Sequence, residues 1–159
     1  ERDGPGMGSQ GDITAVFSVL VPGSDMEEPI ADILRGVLDG HVVLDRDIAE
    51  RGRFPAVDVL RSVSRSLPAA ATDAENEILM QVRKHLSVYA KNQVMISAGL
   101  YTQGADPDID AAIEVWPELD AALGLQHEQG VSHSFDRLRL IMRRGGRTSP
   151  EGATRRQLV

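Results

Sequence analysis

The spacing of apolar residues changes at Pro68, and that change limits how the chain can fold. Before it, apolar residues alternate or cluster in short β-branched runs; after it, they recur every three or four residues. Residues 12–22, Asp-Ile-Thr-Ala-Val-Phe-Ser-Val-Leu-Val-Pro, are predicted to form a strand ended by Pro22-Gly23. Glu27-Glu28-Pro29 has the composition of a helix start, with acids near the amino end and proline early. Ile30, Ile33, Leu34, Val37 and Leu38 continue at helical spacing, and Gly40 is expected to stop that helix. His41-Val42-Val43-Leu44 reads as a short buried strand, and Arg46 to Arg51 as a short helix ending at Gly52. The run from Gly52 to Pro68 follows as strand and turn. The order is strand, helix, strand, helix, strand, which makes the fold class of this part α/β.

Beyond Pro68 the pattern is helical. Ala69-Ala70-Ala71 is a bridge, and Thr72 with Glu75 has the signature of a capping box. Ile78, Leu79, Val82, Leu86 and Tyr89 then share one stripe until Gly99 and Gly104-Ala105-Asp106-Pro107 break it. A second helix from about Asp108 carries Ile109, Ile113 and Leu119, with Pro117 expected to kink or restart it. A third, from about Ser132, aligns Phe135, Leu138 and Met142 until Gly145-Gly146. Residues 146–159 read as a disordered tail. With only six aromatics in the chain, any core must consist mainly of Ala, Val, Leu and Ile.

Several functions are excluded at this level. Without cysteine there are no disulfides and no thiolate metal sites, and the four histidines (His41, His85, His127, His133) lack metal-ligand spacing. No apolar run approaches the ~18 residues of a membrane span. A net charge of −7 argues against nucleic acid, which would be bound by neutralising phosphates. The charge is uneven, however: Arg137 to Arg156 holds seven arginines against Glu151, a net +6, leaving −13 elsewhere. Such a stretch is either a solvated basic tail or a contact for an acidic partner or membrane surface. The phosphate loop Gly-x-x-x-x-Gly-Lys-Ser/Thr is absent, since neither lysine, Lys84 or Lys91, follows a glycine. Val42-Val43-Leu44-Asp45 imitates an apolar strand ending in a magnesium-linked aspartate, but Arg46 sits beside the acid. Asp39 and His41 could form an acid/base pair, though a histidine capping a helix end is the simpler reading. No Ser-His-Asp spacing or pair of glycosidase-type carboxylates stands out. The opening at Glu1, with Gly4-Pro5-Gly6-Met7-Gly8 close behind, reads as the middle of a longer protein.

Read together, residues 25–65 carry a resemblance. The segments are Asp25-Met26-Glu27-Glu28-Pro29-Ile30-Ala31-Asp32, Arg35-Gly36-Val37-Leu38-Asp39-Gly40-His41-Val42-Val43-Leu44, Ala49-Glu50-Arg51-Gly52-Arg53-Phe54-Pro55-Ala56-Val57-Asp58-Val59-Leu60 and Ser62-Val63-Ser64-Arg65. They resemble the carboxy-terminal part of the flagellum-specific ATPases of bacterial type III export, relatives of the rotary ATP synthase catalytic subunits. Glu1-Arg2 and Gly11-Asp12-Ile13-Thr14-Ala15 fit the approach to that region. Ala98-Gly99-Leu100-Tyr101, Gly104-Ala105-Asp106-Pro107 and Asp110-Ala111-Ala112-Ile113 resemble the family's helical end domain. Asp3 and Asp45 depart from it, where a small residue and a serine are usual.

The resemblance implies that residues 1–70 are the carboxy-terminal part of a RecA-like P-loop ATPase core and residues 71–145 an all-α domain. The phosphate loop and magnesium-linked strand would lie upstream. It further implies a homohexamer hydrolysing ATP with Mg2+ at the cytoplasmic face of the inner membrane, as a peripheral protein. Its expected partners are the export regulator and stalk proteins, the export gate and complexes of substrates with chaperones. Arg65 would be the finger entering the neighbouring subunit's phosphate site, and Phe54 would stack on adenine where the family often has tyrosine. The chemistry suits these side chains: a planar, permanently charged guanidinium can form two parallel hydrogen bonds to transferring phosphoryl oxygens, and stacking needs only a π face. By residue type alone, Arg65 could equally hold a surface salt bridge, Arg61 is its rival, and Phe54 could be a core residue. The competing readings of the whole are the ATPase of a virulence type III secretion system and a non-catalytic partner-binding module.

Overall fold

The computed structural model describes residues 14–20, 33, 35–125 and 130–145. The chain divides into two compact units, residues 1–38 and residues 39–159. In the first, residues 14–20 adopt no regular structure, contrary to the strand expected over 12–22. A strand persists only when its backbone groups are paired, and the described strands pair solely with each other. Val16 and Leu20 accordingly stand in solvent. Residues 35–37 are helical, as expected. The predicted helix start at Glu27–Pro29 and the predicted tail from residue 146 lie outside the described residues.

The second unit runs β1 (Gly40–Leu44), α1 (Arg46–Glu50), β2 (Val57–Ser64), α2 (Asp73–Ser97), α3 (Pro107–Leu123) and α4 (Val131–Gly145). β1 and β2 form an antiparallel pair in which Gly40 faces Ser64 and Leu44 faces Val57. Gly40 therefore opens a strand instead of ending a helix. A Cβ there would stand 2.6 Å from the Val63 carbonyl oxygen, so the close approach of the strands requires glycine. β1 is not the fully buried strand expected from its composition. Val43 is buried, while Val42 and Leu44 are 69% and 70% exposed on the other face. α1 begins at Asp45, whose carboxylate accepts from the Asp47 and Ile48 amides.

The helical elements follow the sequence closely. Thr72 accepts from the Glu75 amide while the Glu75 carboxylate accepts from the Thr72 amide, completing the predicted capping box. Ile78, Val82 and Leu86 of α2 meet Val115, Leu119 and Ala122 of α3 and Ile141 and Met142 of α4 in one core. Pro117 does not restart α3, which continues through it to Leu123. Val115, Leu119 and Ala122, on either side of the proline, are all buried in the same core. Tyr89 stacks on Trp116, ring centroids 4.0 Å apart, joining α2 to α3. α4 runs through Gly145, where a Cβ would collide with Val115.

His85, half-buried on α2, has its pKa pushed below the ordinary 6.5 by burial and by the adjacent Lys84 cation, which outweigh Asp108. The unfolded chain therefore binds more protons between that lowered value and 6.5. This share of stability is complete above pH 6.5 and is lost as pH falls toward the folded value. Thermal unfolding followed across that window is expected to show a falling midpoint, with the His85→Gln variant lacking part of the fall.

Candidate functional site

Local chemistry explains how β2 reaches Arg65. From His41 to Val43, β1 advances two residues while β2 advances five, from Val63 to Asp58, so β2 carries a three-residue bulge. The bulge is held by side chains. The Asp58 carboxylate accepts from the Leu60 amide at 2.9 Å and the Arg61 amide at 3.1 Å. The Ser62 hydroxyl donates to the Asp58 carbonyl at 2.6 Å and accepts from the Val43 amide at 3.0 Å. His41 Nε2 lies 3.1 Å from the Arg61 carbonyl. Arg83 of α2 donates from Nη1 to the Val59 carbonyl at 3.0 Å and from Nη2 to the Leu60 carbonyl at 3.1 Å. The bulged residues Val59 and Leu60 pack on the helical core. Few polar groups of the bulge are left to chance.

Beyond the bulge the strand resumes at Val63 and Ser64, and the Arg65 amide donates to the Asp39 carbonyl at 2.8 Å. Arg65 is thus an exposed residue whose backbone is pinned on the far side of the hairpin. Phe54 lies before the opposite end of β2 and is 64% exposed, outside the core of this unit. The two residues are not brought together: the five residues of β1 that separate their ends of the hairpin span about 13 Å of strand. Arg61, the rival, is engaged elsewhere, with Nη1 3.4 Å from Asp45 Oδ2. Asp45 caps α1 through Oδ1 and meets Arg61 through Oδ2. Asp39 and His41 form no acid/base pair, since His41 turns to Arg61 and sits within a strand instead of at a helix end.

The loop carrying Phe54 is fixed by its neighbour. Arg53, 8% exposed, places Nε 3.1 Å from Asp120 Oδ1 of α3 as an ion pair off the line of a hydrogen bond, while Nη2 donates to the Val57 carbonyl at 3.0 Å. Arg51 lies over the Trp116 ring, 5.8 Å from its centroid. These contacts border a cleft of about 450 Å³ whose rim is rich in acids, Asp45, Asp47, Glu50, Asp58 and Asp120 among them. Asp58, Ser62, Arg83, Arg53 and Asp120 were not singled out from the sequence. Asp58 alone offered a local signal, as an Asx-turn former inside an apolar run.

Among the described residues, no group of three or more His, Cys, Asp or Glu is placed to hold a metal ion. With no phosphate loop in the sequence, the residues present do not fit a cradle for a triphosphate and Mg2+. Phe54 presents an exposed aromatic face, and Arg65 is an exposed arginine. No described helix is long and apolar enough to cross a membrane.

The chain matches two family models: the nucleotide-binding domain of the ATP synthase alpha/beta family over residues 1–64, and the T3SS EscN ATPase C-terminal domain over residues 71–140. It is 45% identical over 137 residues to the flagellum-specific ATP synthase of Caulobacter vibrioides, covering 83% of this chain and 31% of that protein. It is 44% identical over 114 residues to the SPI-2 type 3 secretion system ATPase of Salmonella typhimurium, covering 72% and 26%. The assembled ATPase EscN from the enteropathogenic E. coli type III secretion system superposes with a TM-score of 0.77 at 30% identity, over 84% of this chain and 33% of that one. The chain thus spans between about a quarter and a third of the length of these relatives. With both halves matched in the order in which the fold presents them, the chain belongs to the family of flagellar and type III secretion ATPases related to the ATP synthase alpha/beta subunits, and it carries that family's C-terminal domain.

Proposed function

We propose that the chain is part of an ATPase that energises export of flagellar proteins, working as a hexameric ring. In this reading Arg65 enters the phosphate site of the neighbouring subunit and Phe54 stacks on the adenine of another site. The observation that carries it is the built hairpin: a bulge fixed by Asp58, Ser62, His41 and Arg83 leads directly to an exposed arginine with a pinned backbone. The separation of Phe54 from Arg65 supports assigning them to two different nucleotides, as a ring with sites between subunits requires. Exposure of Val42 and Leu44 supports a larger sheet that covers this face in a longer protein.

The two family models meet between residues 64 and 71, which supports a core piece over residues 1–70 and a helical domain over 71–145. ATP would be the substrate and Mg2+ its counter-ion, both held by residues outside this chain, so that the chain by itself is inactive. EscN has been solved assembled and with its central stalk EscO. By analogy a ring, a stalk protein, an export gate and chaperone-bound substrates would be partners here, at the cytoplasmic face of the inner membrane. The test is ATP turnover and nucleotide affinity of the full-length enzyme with Arg65 intact or replaced. Loss of turnover with affinity kept supports the reading; unchanged turnover overturns it.

The Salmonella SPI-2 relative is nearly as similar as the Caulobacter flagellar one, so a virulence secretion ATPase is the second reading. Complementation decides between them: restored motility in a strain lacking its flagellar ATPase supports the flagellar branch, and restored effector secretion alone supports the other.

A further inference from the structure

Arg83 stands apart from every residue discussed for nucleotide chemistry. It projects from α2, one turn before the buried Leu86, and its fork closes on two consecutive carbonyls of the β2 bulge. Those carbonyls belong to Val59 and Leu60, which have lost their ladder partners because the bulge removes them from register. The remaining supports of the bulge, Asp58, Ser62 and His41, come from the hairpin itself. Arg83 alone, among the described hydrogen bonds to the bulge, comes from the helical elements. It holds the strand five residues before Arg65.

We infer that Arg83 is a positioning residue for Arg65, fixing the bulge from α2 so that the arginine at the end of β2 reaches its target in one geometry. The inference rests on the reading of Arg65 as a finger. A guanidinium suits the task because two fixed N–H vectors can satisfy two adjacent carbonyls, whereas an ammonium supplies one point of attachment. Without the clamp the two carbonyls turn to water and the bulge gains freedom. A displacement of about 1 Å at a group stabilising a transition state can cost on the order of 10²-fold in rate.

The test is a double-mutant cycle in the full-length ATPase, with Arg65→Ala, Arg83→Ala, the two combined, and Arg83→Lys. Arg83→Ala is expected to lower kcat by about 10- to 100-fold with KM within a few-fold, and Arg83→Lys to fall between it and wild type. In the Arg65→Ala background the further loss from Arg83→Ala should shrink to less than about twofold, because a positioning residue has nothing left to position. Equal losses in both backgrounds would show that Arg83 supports the fold generally and would overturn the inference while leaving Arg65 as the finger. An unchanged kcat in folded Arg83→Ala would do the same. If Arg65→Ala itself turns over normally, the finger reading fails, and this inference with it. Should Arg83→Ala not fold, Arg83→Lys carries the same cycle.

Discussion

Replacing Arg65 with alanine in the full-length ATPase is expected to lower ATP turnover by at least about 10³-fold while nucleotide affinity stays within a few-fold. The split follows from where the charge appears. In the proposed reading each nucleotide is held mainly by the subunit whose site it occupies, so its ground-state binding has little need of an arginine from the neighbour. As the phosphoryl group transfers, negative charge spreads over its oxygens, and a guanidinium delivered from the next subunit can stabilise it with two aligned donors. An arginine supplied in this way is worth about 10³ to 10⁵ in rate, or roughly 4 to 7 kcal/mol. Arg65→Lys should recover little, because it restores the charge without the fork. Steady-state turnover and equilibrium nucleotide binding on the same preparations check both halves of the expectation. Turnover within a few-fold of wild type would make Arg65 a surface residue and leave the pinned strand end without a catalytic reason.

The second large effect is on stability. Asp120→Ala should cost the 159-residue chain about 3 kcal/mol, because it strands the Arg53 guanidinium, whose side chain is 8% exposed. The lower end of the usual range applies because Asp120 keeps a third of its side chain in water. For a chain of this size the unfolding midpoint should fall by roughly 6–12 °C. Asp120→Asn, which keeps an acceptor and removes the charge, should lose less. The double change Arg53→Met with Asp120→Leu should recover most of the loss, since the cost lies in the unpaired charge more than in the absent pair. A midpoint for Asp120→Ala within a degree or two of wild type would mean that the guanidinium finds water. The pair would then not be what fastens the Phe54 loop to α3.

The parts of this molecule that sequence made legible are those decided by neighbours in the chain. Thr72 and Glu75 are three residues apart and cap their helix with no outside help, and Ile78, Val82 and Leu86 show their burial by spacing alone. Residues 14–20 have strand composition but lack the partner that composition cannot supply. Gly40 illustrates a subtler difference. Its identity was informative, yet the reason for it is a carbonyl at Val63, twenty-three residues away, and not the end of a helix. Pro117 was expected to kink α3 or restart it; the helix does not restart but runs through it to Leu123, buried contacts on both sides outweighing one missing N–H. Arg83, Arg53 and Asp120 were invisible because each acts on a partner from another element. Arg65 and Phe54 were singled out through family resemblance. The structure adds their exposure, their placement at opposite ends of β2 and the bulge between them.

That bulge also acts as a counter of phase. Residues on a strand alternate between its two faces, so an odd number of steps exchanges faces and an even number keeps them. His41 and Val43 are two steps apart on β1, whereas their partners Val63 and Asp58 are five apart on β2. His41 and Val43 share a face, so their partners Val63 and Asp58 share it too, although an odd number of steps parts them on β2. The bulge absorbs that odd step. Unbroken alternation from Asp58 would instead deliver Val63, and Arg65 two residues later, to the reverse face of the hairpin. The irregular backbone of this short segment thus sets which way the end of β2 faces.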